Sequence, residues 1–226
     1  MSEKVIKAAL LGLGTVGNGV YKVLKSQKEE MEKKIGAVVR VEKILVRNIK
    51  KAAAKVEDPS VLTNDWKGVL EDPSIEIIIE VMGGFEPART YILEALRAGK
   101  HVVTANKDLV ASNGGELLDC AAEHQCDFLF EAAVAGGIPI IRPLKQCLAG
   151  NHIEEVIGIV NGTTNFILTK MTQEGMEFSE ALALATELGY AEADPTADIR
   201  GYDAGRKMAI MASIAFKIGR ASCRER

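Results

Sequence analysis

Apolar, β-branched runs alternate along this chain with longer stretches in helical rhythm. Residues 5–11 (VIKAALL) read as a buried strand. From Thr15 to about Ser26, Val16, Val20, Val23 and Leu24 recur on one side of a helix. Residues 28–34 carry mixed charge and suit a solvated helix end or loop. Residues 38–46 and 75–81 (IEIIIEV) predict a second and a third strand. Pro87 is placed to open the next helix in its first turn, and Gly99 to close it. A fourth short strand is predicted at 101–104, a helix at 116–125 and a fifth strand at 127–130. Strands that alternate with helices imply right-handed crossovers and a mainly parallel α/β sheet.

The texture changes after Glu131. EAAVAGGIPI is a loop of small residues, with Pro139 positioned to begin a helix. Another strand is expected at 153–160, and helical patterns at 163–172, 178–188 and from Gly201 onward. This places a domain boundary near residues 131–138, dividing the chain into 1–133 and 134–217. The length of 226 residues fits one domain and about half of another.

Composition narrows the function classes. A chain that is 47% hydrophobic and 26% charged is ordinary globular protein, and a net charge of −3 gives no footprint for nucleic acid. No apolar run reaches the roughly 18 residues that span a bilayer, and the N-terminus does not read as a signal peptide. Cysteines 120, 126, 147 and 223 and histidines 101, 124 and 152 lack metal-ligand spacing. Scattered free thiols suit a reducing compartment, so a cytoplasmic location is expected.

Chemistry enters at Gly12-Leu13-Gly14-Thr15-Val16-Gly17. A GxGxxG alone is weak, but this one follows an apolar strand and opens a helix. Gly12 permits the tight turn, Gly14 leaves room for a pyrophosphate, and Gly17 lets helix and strand pack closely. The helix N-terminus adds N–H groups and positive potential. The expected fold is therefore a doubly wound parallel sheet of the Rossmann type. The alternative is a plain glycine-rich turn.

The second strand ends at Val46-Arg47-Asn48, where an NAD site usually carries Asp or Glu for the ribose hydroxyl. A guanidinium at Arg47, with Lys50 and Lys51 nearby, favours a 2′-phosphate, hence NADP(H) over NAD(H). The alternative is that Arg47 is merely a surface cation. The other strand ends that should line the crevice carry Met82-Gly83-Gly84 and Thr104-Ala105-Asn106-Lys107. Lys107 is either an active-site group or a solvated loop lysine.

Further on, Asn161-Gly162-Thr163-Thr164-Asn165 opens a helix that Asn or Thr could cap. Asp203 and Lys207 are four apart and share a helix face. They form either an exposed ion pair worth a few tenths of a kcal/mol or a lysine proton donor held charged by its neighbour. The apolar run 208–216 argues for burial of this helix.

Together, GLGTVG, TANK, EAAVAGGIPIIRPL, NGTTNFIL and GYAEADPTADIRGYDAGRK resemble homoserine dehydrogenase, in order from about Lys4 to Lys217. The resemblance implies NAD(P)-dependent interconversion of L-aspartate 4-semialdehyde and L-homoserine, in threonine, isoleucine and methionine biosynthesis. It implies a homodimer acting on a small-molecule substrate, with an α+β substrate and dimerisation domain after the nucleotide domain. Matched by position, Glu192 and Asp203 are substrate-binding carboxylates. Lys207 is the proton donor, Lys107 a second active-site lysine near the cofactor, and Gly189 a cofactor contact. Glu131, Val134, Gly136 and Ile138 match a monovalent-cation site, usually sodium, built mostly from backbone carbonyls.

Against that pattern the chain looks truncated, since family members continue through more of the substrate domain and often an ACT regulatory domain. Residues 218–226 read as one frame of a common sequencing adapter, so the native sequence is expected to end near Lys217. Residues 151–217 would then expose apolar surface meant for burial, and the fragment could bind nucleotide without turnover. The competing expectations are a nucleotide-binding module without catalysis and another two-domain dehydrogenase for an amino acid or aldehyde.

Overall fold

The computed structural model describes residues 4–192 and 194–217. They form two compact units, one ending at Ala133 and the other beginning at Val134. Residues 218–226, the adapter-like tail, lie outside the described residues.

The first unit holds a six-stranded sheet of β1 (Val5–Leu11), β2 (Val38–Leu45), β3 (Leu62–Thr63), β4 (Ile75–Glu80), β5 (His101–Thr104) and β6 (Phe128–Leu129). The order is β3-β2-β1-β4-β5-β6 and every pairing is parallel. Strand order reverses between β1 and β4, the switch point where α/β sheets bind nucleotides beyond their carboxyl ends. Ala8, Ala9, Leu10, Leu11, Ile44 and Ile78 are sealed from solvent. A parallel sheet covered on both faces needs such continuous apolar runs. The crossovers include α1 (Thr15–Ser26), α2 (Lys28–Ile35), α3 (Ile49–Ala53), α4 (Trp66–Glu71), α5 (Ala88–Arg97) and α6 (Lys107–Glu123).

Two of the departures from the sequence reading in this unit have clear local causes. β3 is a sixth strand of two residues, paired through Ile44 with Leu62, and is too short to show periodicity. Helix α6 opens at Lys107 rather than near residue 116. The Asn106 side chain accepts a hydrogen bond from the Leu109 amide at its start, and Gly114 is buried inside it. Gly114-Gly115 looks like a break in sequence, whereas here packing overrides propensity.

The second unit contains a π-helical turn (Pro143–Cys147), then α7 (Gly162–Glu174), α8 (Phe178–Glu187), α9 (Thr196–Ile199) and α10 (Tyr202–Ala215). Ile167, Ala181, Ala185 and Ala191 form a small core, flanked by Phe166, Met171, Met176 and Leu182. Helix α10 buries Ile210, Met211 and Ile214 but leaves Met208 exposed, as is Phe216 just past its end. The strand expected at 153–160 does not form. The segment has no ladder partner among the described residues, and Ile157 and Ile159 are 83% and 76% exposed. Apolar alternation specifies which face is buried only when an adjacent edge completes the hydrogen bonds.

Candidate nucleotide cleft and ionic cluster

In the first unit, β1 delivers the chain into Gly12, whose φ of +100° only glycine adopts easily. Its amide donates to the Leu45 carbonyl (3.0 Å), fixing the turn against β2. A Cβ on Gly17 would lie 2.2 Å from the Gly12 carbonyl oxygen, so helix and turn touch backbone to backbone. A Cβ on Gly14 would meet nothing within 4 Å, so the space above it is open. Thr15 and Val16 begin α1, both exposed.

A cavity of about 510 Å³ lies over this turn. Gly12, Leu13 and Gly14 form one side, Arg47, Lys51 and Lys55 another, and Val81, Met82 and Gly83 a third. Arg47 is exposed at the mouth, and Lys55 donates to the Leu13 carbonyl (3.0 Å). Glu86 also lines the cavity, its carboxyl held below the usual range chiefly by the Thr90 hydroxyl. Tyr91 lines it too and stacks on Trp66 at 4.4 Å between ring centroids. A glycine turn at a helix N-terminus, open space above its second glycine and a cluster of cations suit a phosphorylated dinucleotide. Lys107, the first residue of α6, is half-buried and does not line this cavity.

Sequence reasoning missed Lys55, Asn64 and Glu80. Lys55 reaches the cleft from the crossover after β2 and Asn64 from the end of β3, and neither carries a motif. Glu80 ends β4 in full burial, accepting from the amides of Met82 (2.8 Å) and Gly83 (3.2 Å) and from the Thr104 hydroxyl (2.6 Å).

The second unit holds an ionic cluster. Asn161 caps α7, its Oδ1 accepting from the Thr164 amide (2.8 Å). The same side chain donates through Nδ2 to Asp198 (2.7 Å) and Asp203 (3.0 Å). Asp203 Oδ2 lies 2.6 Å from Lys207 Nζ, which also donates to the Val160 carbonyl (2.6 Å). The pair is largely buried, with Lys207 and Asp203 side chains 20% and 11% exposed. The pair is therefore not the exposed ion pair that the helix spacing alone allowed. Glu192 is exposed, and Gly189 ends α8 in the left-handed region with φ +77°.

Glu131 opens a 3₁₀ turn (Glu131–Ala133). Val134 is buried, whereas Gly136 and Ile138 are exposed in a loop where Ala135 and Gly137 have positive φ. Among the described residues, no group of three His, Cys, Asp or Glu side chains could hold a metal ion. No helix among them is long and apolar enough to cross a membrane.

Comparison with known proteins bears on both features. A model of the homoserine dehydrogenase NAD binding domain matches residues 12–131, and a homoserine dehydrogenase model matches residues 139–222. The homoserine dehydrogenase of Bacillus subtilis is 49% identical over 215 residues, covering 95% of this chain and 50% of that protein. The crystal structure of the Thiobacillus denitrificans homoserine dehydrogenase superposes with a TM-score of 0.91 at 48% identity, over 96% of this chain and 50% of that one. A hyperthermophilic archaeal homoserine dehydrogenase in complex with NADPH gives a TM-score of 0.80 at 29% identity, over 93% and 70%. The chain spans about half the length of the curated relatives it matches.

Proposed function

The chain belongs to the homoserine dehydrogenase family, and from that premise we propose that it carries the nucleotide domain (1–133) and part of the substrate domain (134–217) of an oxidoreductase. The reaction is reversible reduction of L-aspartate 4-semialdehyde to L-homoserine, in the cytoplasmic route to threonine, isoleucine and methionine, by an enzyme that works as a homodimer. The observation that carries the reading is the lysine of α10, fixed by Asp203 Oδ2 and the Val160 carbonyl, each at 2.6 Å.

The cleft suits NADP(H) over NAD(H). No carboxylate follows β2, and Arg47, Lys51 and Lys55 supply positive charge for a 2′-phosphate. Gly12, Leu13, Gly14, Thr15, Val16 and Gly17 cradle the pyrophosphate, with Gly83 and Gly189 as further cofactor contacts. When bound, the nicotinamide supplies the hydride. Reduction places negative charge on the substrate's carbonyl oxygen. An ammonium there stabilises the alkoxide and gives it a proton. Lys207 is that donor, Lys107 the second active-site lysine, and Glu192 and Asp203 bind the substrate's ammonium. Glu131 and the carbonyls of Val134, Gly136 and Ile138 are an all-oxygen donor set, the chemistry that suits a hard cation such as sodium.

The test is homoserine-dependent NADP⁺ reduction by a chain spanning the whole length of the relatives. Turnover with homoserine is expected. Nucleotide binding without turnover would reassign the fold to a dinucleotide-binding module.

A further inference from the structure

Glu80 is the most deeply buried carboxylate described in the first unit, and the chemistry above does not use it. A carboxylate sealed from water is costly unless its oxygens are fully engaged. Here one oxygen accepts the amides of Met82 and Gly83, and the other accepts the Thr104 hydroxyl. Thr104 has a single hydroxyl proton, committed to Glu80, and its oxygen accepts the Asn106 amide (2.9 Å). Asn106 returns the link, donating through Nδ2 to the Gly84 carbonyl (2.6 Å) while capping α6. Two hydrogen-bonded ties therefore join the loop after β4, which lines the cleft, to the turn after β5, from which Lys107 departs.

We propose that Glu80 is a positioning residue, the buried carboxylate that locks the Met82–Gly83 wall of the nucleotide cleft to the Thr104–Asn106 turn. The assignment rests on reading the cleft as a dinucleotide site. A preformed wall removes the cost of ordering it at binding, and small displacements of such walls cost large factors in rate. Glutamine fills the same space but has one acceptor oxygen, and its NH₂ cannot accept. Glu80→Gln therefore leaves at least one of the three donors without its acceptor.

The experiment combines NADPH binding, followed by fluorescence of the sole tryptophan, with amide hydrogen exchange on the same chain. Glu80→Gln is expected to weaken NADPH binding roughly tenfold or more. Exchange should accelerate at Met82 and Gly83, with Leu10 and Ile78 still protected. Thr104→Val should reproduce the defect and Thr104→Ser should restore the parent behaviour. These threonine variants decide the matter if Glu80→Gln does not fold. Parent-like affinity and exchange in the folded variants would overturn the proposal. So would uniform acceleration across β1 and β4, which marks a staple of the whole fold. If the parent binds neither NADPH nor NADH, the dinucleotide reading fails, and the exchange pattern alone decides whether Glu80 locks the wall.

Discussion

Lys207 stands one helical turn beyond Asp203, with its Nζ 2.6 Å from the aspartate Oδ2. The same oxygen accepts the amide of Asn161, which also binds Asp198. One asparagine thus holds two carboxylates and, through one of them, the lysine. Charged hydrogen bonds in a largely buried setting are stronger than their surface counterparts and fix geometry as well as charge.

Replacing Lys207 with alanine, in a chain spanning the length of the relatives, is expected to cut kcat by about 100-fold or more. NADPH affinity should stay at the parent value. Steady-state kinetics with homoserine, beside a binding titration, checks both. Near-normal turnover would remove Lys207 from proton transfer.

Two glycines of one motif should fail in different ways. Gly17→Ala forces a Cβ to 2.2 Å from the Gly12 carbonyl oxygen. It is expected to lower stability by roughly 1–3 kcal/mol, as overpacking does, measured by urea denaturation. Gly14→Ala meets no neighbour and should leave the urea midpoint unchanged. Its methyl instead occupies the space proposed for pyrophosphate, so NADPH binding should weaken.

Arg47→Ala should separate the two dinucleotides. A hydrogen bond to a charged group contributes about 1.5–3 kcal/mol, so NADPH affinity should fall by roughly tenfold or more. NADH affinity should change little. Equal losses for both would place Arg47 outside the 2′-phosphate site.

Acid should destabilise the first unit. The Ser74 hydroxyl and amide hold Asp72 below the usual carboxylate range, with Lys7 and Lys100 adding to the effect. Asp58 is lowered by Ser60 and Glu116 by Arg89. A carboxyl whose folded pKa is depressed contributes stability fully present above its unfolded pKa, near 4, and lost as pH falls through the folded value. Urea midpoints should therefore decline as pH falls below about 5. Asp72→Asn should flatten part of that decline. A midpoint independent of pH in this range would contradict the assignment.

The sheet was legible because parallel strands buried on both faces appear as unbroken apolar runs; 5–11 and 101–104 match their strands residue for residue. The segment at 153–160 has the same texture but no ladder, because pairing is a property of the neighbour. Arg47 could be found because it follows a strand whose end has a known use. Glu80 could not. It shares IEIIIE with Glu76, which is exposed, and nothing local distinguishes the two carboxylates. Asn161 was visible as a cap, but its grip on Asp198 and Asp203 depends on residues far along the chain.

The strand order also has a consequence in time. β1 leaves the ribosome before the other five strands of its sheet, yet it sits between β2 and β4, with Lys7 paired to Ile75. One of its edges waits for residues made much later, and the Gly12 turn waits for the Val81 backbone that packs against it. At about 5–20 residues per second, that wait lasts several seconds. Within the sheet the glycine turn is made early and completed late, and the proposed nucleotide cleft is whole only after β4 has threaded in beside β1.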